Sequence, residues 1–204
     1  MTVAIAHLFE GPAGPKSFNI SDQQALCSLL AFNVGAFLCR WGDTFGPHKR
    51  AYTVINSFTA TLFNMAAAIC IWQSGEIGIA ESRVTPAWTK PLSFAAIGFM
   101  SASLGMQGFQ GKRLNTQFAT CVVLTTVWVE LMTDPGLFKL RQKVISRDHK
   151  VIAAFSLFLG AFIARAILYK IGPAGCLGIA TGIRLLITIS WFFVPAKPEK
   201  KNAN

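Results

Sequence analysis

The sequence has few charged side chains, and acidic residues are the scarcest of them. Charged residues make up 14% of the 204 residues, and only 9 residues are aspartate or glutamate. A soluble domain averages about 25% charged residues, so this chain lacks the charge that would cover a globular surface. Apolar residues make up 52% of the chain and occur in long runs. The composition excludes an ordinary soluble domain and predicts an all-α, polytopic transmembrane helical bundle.

The usual signatures of enzymes and metal sites are also missing. The three histidines are isolated, and none of the five cysteines forms a C-x-x-C pair. No nucleotide-binding loop of the Walker type, catalytic carboxylate pair or Ser/His pair is visible. We therefore expect no enzymatic activity, no metal, no cofactor and no ATP-driven transport by this chain alone. We expect the cysteines to be small buried residues: Cys27, Cys39, Cys70, Cys121 and Cys176.

The net charge of +10 does not indicate a nucleic-acid partner. The basic residues lie in short loops and in the tail, without the aromatic-interleaved patch of a nucleic-acid surface. The loop at residues 133–150 is the most basic, which is typical of the cytoplasmic side of a membrane protein. The expected partner is therefore the lipid bilayer, and the expected location is a membrane that the chain crosses several times.

Six apolar runs, named segments a to f, are near the length of about 20 residues that a transmembrane helix needs. We expect Ser21 or Asp22 to cap segment a, a very short turn at Lys112 and Arg113 to join c to d, and Gly172 and Pro173 to mark the turn between e and f. A polar linker at residues 74–90 and a tail at residues 195–204 complete a single integral membrane domain, residues 1–204. The segments cover about residues 25–41, 52–73, 91–109, 114–132, 151–169 and 176–194.

Two patterns describe how the segments would pack and lie in the bilayer. Aromatic residues at the ends of the runs, such as Trp41 and Tyr52, are expected at the membrane interface. Small residues recur at four-residue spacing, which lets transmembrane helices approach closely. The small-residue pairs are Ala31/Gly35, Ser101/Gly105, Ser156/Gly160 and Gly178/Gly182.

The chain shows an internal repeat. The hexamer GAFLCR at residues 35–40 returns as GAFIAR at residues 160–165, and the TVAIAHLFE that begins at Thr2 resembles the TVWVELMTD that begins at Thr126. A second apolar segment follows each hexamer. These matches predict a duplication, with repeat 1 at about residues 1–73 and repeat 2 at about residues 91–194. The repeats are parallel if all six segments cross, and inverted if c and d together make one of five crossings.

From Thr2 to about Val194 the chain resembles the YoaK family of multi-spanning membrane proteins, and its sequence is closest to the fungal branch of that family. The resemblance is carried by RLNTQFATCVVLTTVWVELMTDPGLF at residues 113–138 and by GMQ at residues 105–107. Two positions depart from the family pattern. Gly108 stands where the family has Asn, and Thr126 stands where the family has a Gly after the Thr that matches Thr125. The resemblance implies a membrane bundle without an assigned substrate. Thr2 corresponds to Thr126, which lies two-thirds of the way through segment d, so we expect the first repeat to be truncated. An in-frame stop codon just before Met1 in the native transcript would contradict this expectation.

The candidate site lies in the polar stretch at residues 105–130 and in segment f. Five polar residues of segment d share one helical stripe about 140° wide, as expected for a helix that lines a cavity. Arg184 near the middle of segment f needs a partner, for which Glu130 is the candidate, and Asn64 in segment b is placed to bond across the bundle. The alternatives are a polar turn, a solvated Glu130 and an Arg184 that reaches an interface. The candidate residues are Gln107, Asn115, Thr116, Thr120, Thr126, Glu130 and Arg184.

Two functions from different classes fit these features. The first is a small-solute permease, or a truncated form of one, because duplicated bundles with polar sites between their repeats are typical of secondary transporters. The second is a non-transporting scaffold or a component of a homo-oligomer, which needs only the faces of small residues. Uptake of solutes into vesicles separates the two.

Overall fold

The computed structural model describes residues 20–42, 50–75, 88–114, 128–129, 131–133 and 145–194. This part of the chain is all-α, as expected. Its four helices are α1 (Ile20–Gly42), α2 (Arg50–Ser74), α3 (Pro91–Leu114) and α4 (Ile145–Ser190). Each of them contains a segment that is long and apolar enough to cross a membrane. The helices therefore have the form of an integral membrane protein.

Most of the predicted segments correspond to these helices. Segments a, b and c coincide with α1, α2 and α3, and segments e and f both lie in α4. Segment d lies outside the described residues except for Leu114, the last residue of α3, and residues 128–129 and 131–132, which are helical. The total of six segments and the duplication therefore stay predictions.

Helix α4 is broken at the predicted turn. Gly172 has φ 80° and ψ 178°, a left-handed backbone that glycine adopts without strain. Pro173 follows and cannot donate the backbone hydrogen bond that a continuous helix requires. The Cys176 Sγ lies 3.8 Å from the Ala164 carbonyl oxygen, although residues twelve apart in a straight helix are separated by about 18 Å. The chain folds back here, so α4 consists of two arms, residues 145–171 and 173–190.

The predicted turn at Lys112 and Arg113 is wrong. Helix α3 continues through both residues and ends at Leu114. The two cations lie in its last turn, where positive charge is favourable beside the unpaired carbonyl groups. The guanidinium of Arg113 also lies 5.1 Å from the centre of the Phe109 ring, one turn earlier. Basic residues that appear to mark a loop can thus extend a helix by a turn.

The start of α1 also differs from the prediction. The helix begins at Ile20, so Ser21 and Asp22 lie in its first turn and neither is the residue before it. Asp22 still has the charge that favours the amino-terminal end of a helix. The helix is therefore one turn longer than the apolar run alone indicates.

Helix α3 lies between α1 and α2, and α2 in turn contacts α4, while α1 and α2 hardly touch. The α1/α3 contact is formed by the predicted small residues. A Cβ on Gly35 would lie 2.1 Å from the Ala102 carbonyl oxygen, and one on Gly105 would lie 2.1 Å from the Phe32 carbonyl oxygen. These distances confirm that α1 and α3 approach closely because glycine faces backbone on both sides.

The other two small-residue pairs do not form such a contact within the described part of the chain. A Cβ on Gly160, Gly178 or Gly182 would have no neighbour within 4 Å. The outer surfaces of the helices are strongly apolar, and Phe162, for example, is 72% exposed. In a membrane such surfaces contact lipid, where large apolar side chains cost nothing to expose.

Candidate functional site

One face of α2 carries polar side chains into the interior of the bundle. Thr53, Asn56, Ser57, Thr61 and Asn64 recur at intervals of three and four residues, which places them on one side of a helix. All of them are buried except Ser57, which is half-buried. Because unpaired polar groups are costly away from water, this face identifies the part of the bundle where function should be sought.

The first group of polar contacts joins α1, α2 and α3, and we call it the Asn56 cluster. The Cys39 thiol donates to Asn56 Oδ1 over 2.7 Å, and Asn56 Nδ2 donates to Gln110 Oε1 over 2.8 Å. Gln110 Nε2 donates to the Thr53 carbonyl oxygen over 3.4 Å, and the Tyr52 hydroxyl donates to the Cys39 carbonyl oxygen over 3.2 Å. The five residues are all buried. They connect the ends of three helices through one amide pair.

A cleft of about 550 Å³ opens beside the Asn56 cluster, between α1 and α2. Its walls are mostly apolar, and the polar side chains among its lining residues are Cys39, Tyr52, Asn56 and Thr59. The remaining residues that line it are Leu38, Gly42, Ala51, Ile55 and Met106. The cleft has room for a small molecule with one polar group, although the cluster already satisfies much of its own hydrogen bonding.

The second group of polar contacts joins α2, α3 and the second arm of α4, and we call it the Arg184 cluster. Arg184 donates from one terminal nitrogen to Gln107 Oε1 over 2.6 Å. The Thr188 hydroxyl lies 2.9 Å from the Ser57 hydroxyl and 3.2 Å from the Thr61 hydroxyl. Thr188 also donates to the Arg184 carbonyl oxygen over 3.0 Å. Arg184 is half-buried and Gln107 is exposed, so this cluster is open towards the outside of α3 and α4.

The charge of the Arg184 cluster is not balanced within the described part of the chain. The guanidinium bonds a neutral amide there, and the only acidic residues described are Asp22 and Asp148. Asp148 pairs with the neighbouring Arg147 over 2.6 Å, while Asp22 lies in the first turn of α1. An arginine at the centre of a membrane helix costs about 2.5–3.5 kcal/mol on insertion scales. A cation kept at this cost is typical of a functional position.

The structure brings together two of the predicted site residues. Gln107 and Arg184 bond each other, although Glu130 was the partner predicted for Arg184. The other predicted residues lie outside the described residues, so the stripe on segment d and the pairing of Glu130 with Arg184 stay predictions. These residues are Asn115, Thr116, Thr120, Thr126 and Glu130. No group of three metal-ligating side chains occurs in the ranges that the structure describes.

Sequence reasoning missed most of the polar residues of α2. It selected Asn64, yet the same spacing extends back through Thr61, Ser57 and Asn56 to Thr53. Tyr52, predicted at the membrane interface, is instead buried with its hydroxyl bonded to Cys39. The helical period of the polar residues in segment b was the signal that could have located this face.

We expect Asn56→Leu and Gln110→Leu to reduce the stability of the bundle and to be coupled. Either change leaves a buried amide without its partner, at a cost of about 1–3 kcal/mol. Because the two amides bond each other, the double variant should lose less than the sum of the single changes, by about 0.6–1.7 kcal/mol. Unfolding of the purified protein in mixed micelles with increasing SDS measures all four members of the cycle.

Asn33→Leu is the matched control for this cycle. Asn33 is exposed on α1, and its side chain donates over 2.8 Å to the Leu29 carbonyl oxygen of the same helix. Its replacement should change stability little. Additive losses for Asn56→Leu and Gln110→Leu would show that the two amides do not stabilise the bundle through each other.

A known protein family matches most of the chain. The family described as "Protein of unknown function (DUF1275)" matches residues 1–190. No curated protein and no solved structure matches the chain.

Proposed function

The chain belongs to the DUF1275 family, and from this premise we propose that it is a fungal-type, YoaK-like member of that family and acts as a multi-pass membrane permease for a small solute. The proposed duplication supports this function, because repeated bundles that bind their substrate near the middle of the membrane are the usual build of secondary transporters. The family description assigns no activity, so the argument depends on the polar residues of the bundle.

The observation that carries the proposal is the position of Arg184. Its guanidinium lies between helices of membrane-spanning character and bonds the neutral side chain of Gln107 over 2.6 Å. Thr188, one turn further along α4, meets two hydroxyls of α2. A purely structural contact between α2 and α4 needs no charge, whereas a solute path benefits from one because ionisable groups within the membrane mark such paths.

Uptake into proteoliposomes tests the permease directly. The full chain is reconstituted, and uptake of anionic, cationic, zwitterionic and neutral small metabolites is compared with that of protein-free vesicles. We expect uptake of at least one solute class to depend on the protein and to saturate with concentration. Vesicles containing an Arg184→Gln variant should lose that uptake, whereas Arg165→Gln, which removes an exposed arginine on the other arm of α4, should retain it. Uptake equal to that of protein-free vesicles for every class would contradict the permease.

The second candidate function is a non-transporting scaffold or a component of a homo-oligomer. It is favoured by the open small-residue face around Gly160 on the first arm of α4, where a Cβ would meet no described neighbour within 4 Å. Such faces allow close association between membrane helices. If this is the function, a Gly160→Cys variant should crosslink between copies in the membrane, and adding Arg184→Gln to that variant should leave the crosslinking unchanged.

A further inference from the structure

We infer that the solute of this site is a small monovalent organic anion, bound through its carboxylate by the side chains of Arg184 and Asn64. This inference rests on the proposed function and names the class of substrate. It is drawn from three observations: an arginine whose charge is not balanced among the described residues, a largely buried asparagine whose amide forms no hydrogen bond there, and the register that places the two residues at one level of the α2/α4 contact.

The charge of the site selects an anion. Arg184 has five N–H donors in a planar fork, and the described part of the chain uses one terminal nitrogen, which donates to the neutral Gln107. A carboxylate would both neutralise the guanidinium and accept two parallel hydrogen bonds from it. A cationic solute would add to an unbalanced positive charge in a medium of low dielectric constant, which raises its energy. One guanidinium balances one negative charge, so a monovalent anion fits better than a divalent one.

Asn64 contributes the second set of donors. This residue is only 7% exposed, and its side-chain amide forms no hydrogen bond within the described part of the chain. The amide atoms themselves are not enclosed, because Trp88 Nε1 is the fully buried side-chain atom that lacks a partner in the described part of the chain. The hydroxyls of Thr61 and Thr188 already donate to carbonyl oxygens one turn earlier in their own helices. The two N–H groups of Asn64 are therefore donors that a ligand can reach and satisfy.

Register places Asn64 and Arg184 at the same level of two neighbouring helices. Helices α2 and α4 run in opposite directions, since Arg50 bonds the Val194 carbonyl oxygen near one end and Thr61 meets Thr188 further along. One helical turn beyond that contact lies Asn64 on α2 and Arg184 on α4. Asn64 is three residues after Thr61, so it faces the same side of α2. Both groups therefore lie at the same level of the α2/α4 contact.

The site is open on the side of α3, because Gln107 is exposed. A carboxylate can enter either from water along the bundle or from the bilayer as the head of a fatty acid. The carboxylate group is the same in both cases, but a short carboxylate comes from water and a long one from the bilayer. Comparing short and long carboxylates therefore distinguishes the two sources.

The test is thermal unfolding of the full chain in detergent, with sodium acetate or sodium decanoate replacing sodium chloride at constant ionic strength. We expect a saturable rise in Tm with at least one carboxylate and no comparable rise when choline replaces sodium. Tighter binding of acetate would indicate a soluble substrate, and tighter binding of decanoate would indicate one that comes from the bilayer. Both outcomes support the inference, whereas a response to neither carboxylate, or one that does not saturate, overturns it.

Substitutions at Arg184 and Asn64 test whether the rise in Tm comes from carboxylate binding at these two residues. Arg184→Gln should weaken carboxylate binding at least tenfold, and Arg184→Lys should weaken it less because the charge remains. Asn64→Leu is the second variant, which keeps the test valid if Arg184→Gln fails to fold, and it should also weaken binding. Arg165→Gln is the control and should bind as the wild type does. Equal binding by the wild type and the Asn64 and Arg184 variants would overturn the inference.

Glu130→Gln tests the competing possibility that Glu130 occupies the Arg184 guanidinium. If carboxylates stabilise only the Glu130→Gln variant, the native site is already neutral and the inference fails. The outcome for the permease is separate. Protein-dependent uptake of only a neutral or cationic solute would support the permease function and contradict the anionic substrate. Carboxylate binding without uptake of any solute would support the anion site and contradict the permease function.

Discussion

Gly35→Val should disrupt the α1/α3 contact, whereas Gly160→Val, in the matching hexamer, should be nearly neutral. A Cβ at position 35 would lie 2.1 Å from the Ala102 carbonyl oxygen and 2.7 Å from its Cα. Both atoms belong to the backbone of α3, so no side-chain rotation can make room. The helices must separate, and the closely packed glycine and backbone atoms then lose their contacts. Overpacking of this kind costs about 1–3 kcal/mol, and more where the backbone cannot move.

The comparison with Gly160 removes the effects of local sequence. Both glycines precede Ala-Phe and lie in apolar helices, so any change in helix propensity is shared. A Cβ at position 160 has no described neighbour within 4 Å. Unfolding in SDS mixed micelles should show a large loss for Gly35→Val and little change for Gly160→Val. Equal losses at the two positions would mean that Gly160 also lies in a tight contact.

This pair of glycines shows what the sequence could and could not predict about the fold. Transmembrane segments are set by the thickness of the bilayer and by composition, so runs of apolar residues locate α1, α2, α3 and both arms of α4 well. Small residues at four-residue spacing indicate that a face is able to pack closely. Which face does so depends on residues far away in the chain: Gly35 meets Ala102, and Gly160 meets no described neighbour, although their hexamers are nearly identical.

The polar site could be predicted only in part, because the sequence does not show which helix each polar residue faces. Thr59 and Thr61 each donate to the carbonyl oxygen four residues earlier, over 2.9 Å, as threonines in a helix commonly do. Thr61 in addition meets Thr188 across the bundle, whereas Thr59 faces away from that contact. From the sequence alone, the hydroxyl of either threonine could bond its own helix only or also contact another helix. The partner helix decides between them, and no local pattern encodes which helix that is.

Arg184 shows most clearly that the sequence predicts the need for a partner but not its identity. Its position in an apolar segment predicts that it needs a partner, because an isolated charge in the membrane is costly. The predicted partner, Glu130, lies outside the described residues, and within them the neutral Gln107 lies against the guanidinium, 77 residues away in the chain. A neutral partner relieves part of the hydrogen-bonding deficit and none of the charge. That difference is the physical basis of the proposed anion site.

Gln107→Glu should therefore stabilise the protein without ligand and remove its response to carboxylates. Gln107 Oε1 already lies 2.6 Å from a terminal nitrogen of Arg184, so a glutamate would place its carboxylate in the same contact. An opposite charge at this distance favours the ionised form of the acid. Exposed ion pairs contribute up to about 1 kcal/mol, and because Gln107 is exposed we expect a gain of that order. The fixed carboxylate would then compete with any bound one.

Thermal unfolding with and without sodium acetate or decanoate measures both effects in one experiment, and Gln107→Leu is the matched variant. Leucine removes the oxygen that accepts from Arg184 and adds no charge, so it should lower the Tm without ligand but retain a saturable response to carboxylates. If Gln107→Glu and Gln107→Leu both lose the response, Gln107 itself contacts the ligand. If Gln107→Glu binds carboxylates as the wild type does, the guanidinium of Arg184 is not where they bind. The opposite responses of the two variants therefore separate the charge of the site from its shape, because both substitutions alter the same side chain and only one neutralises Arg184.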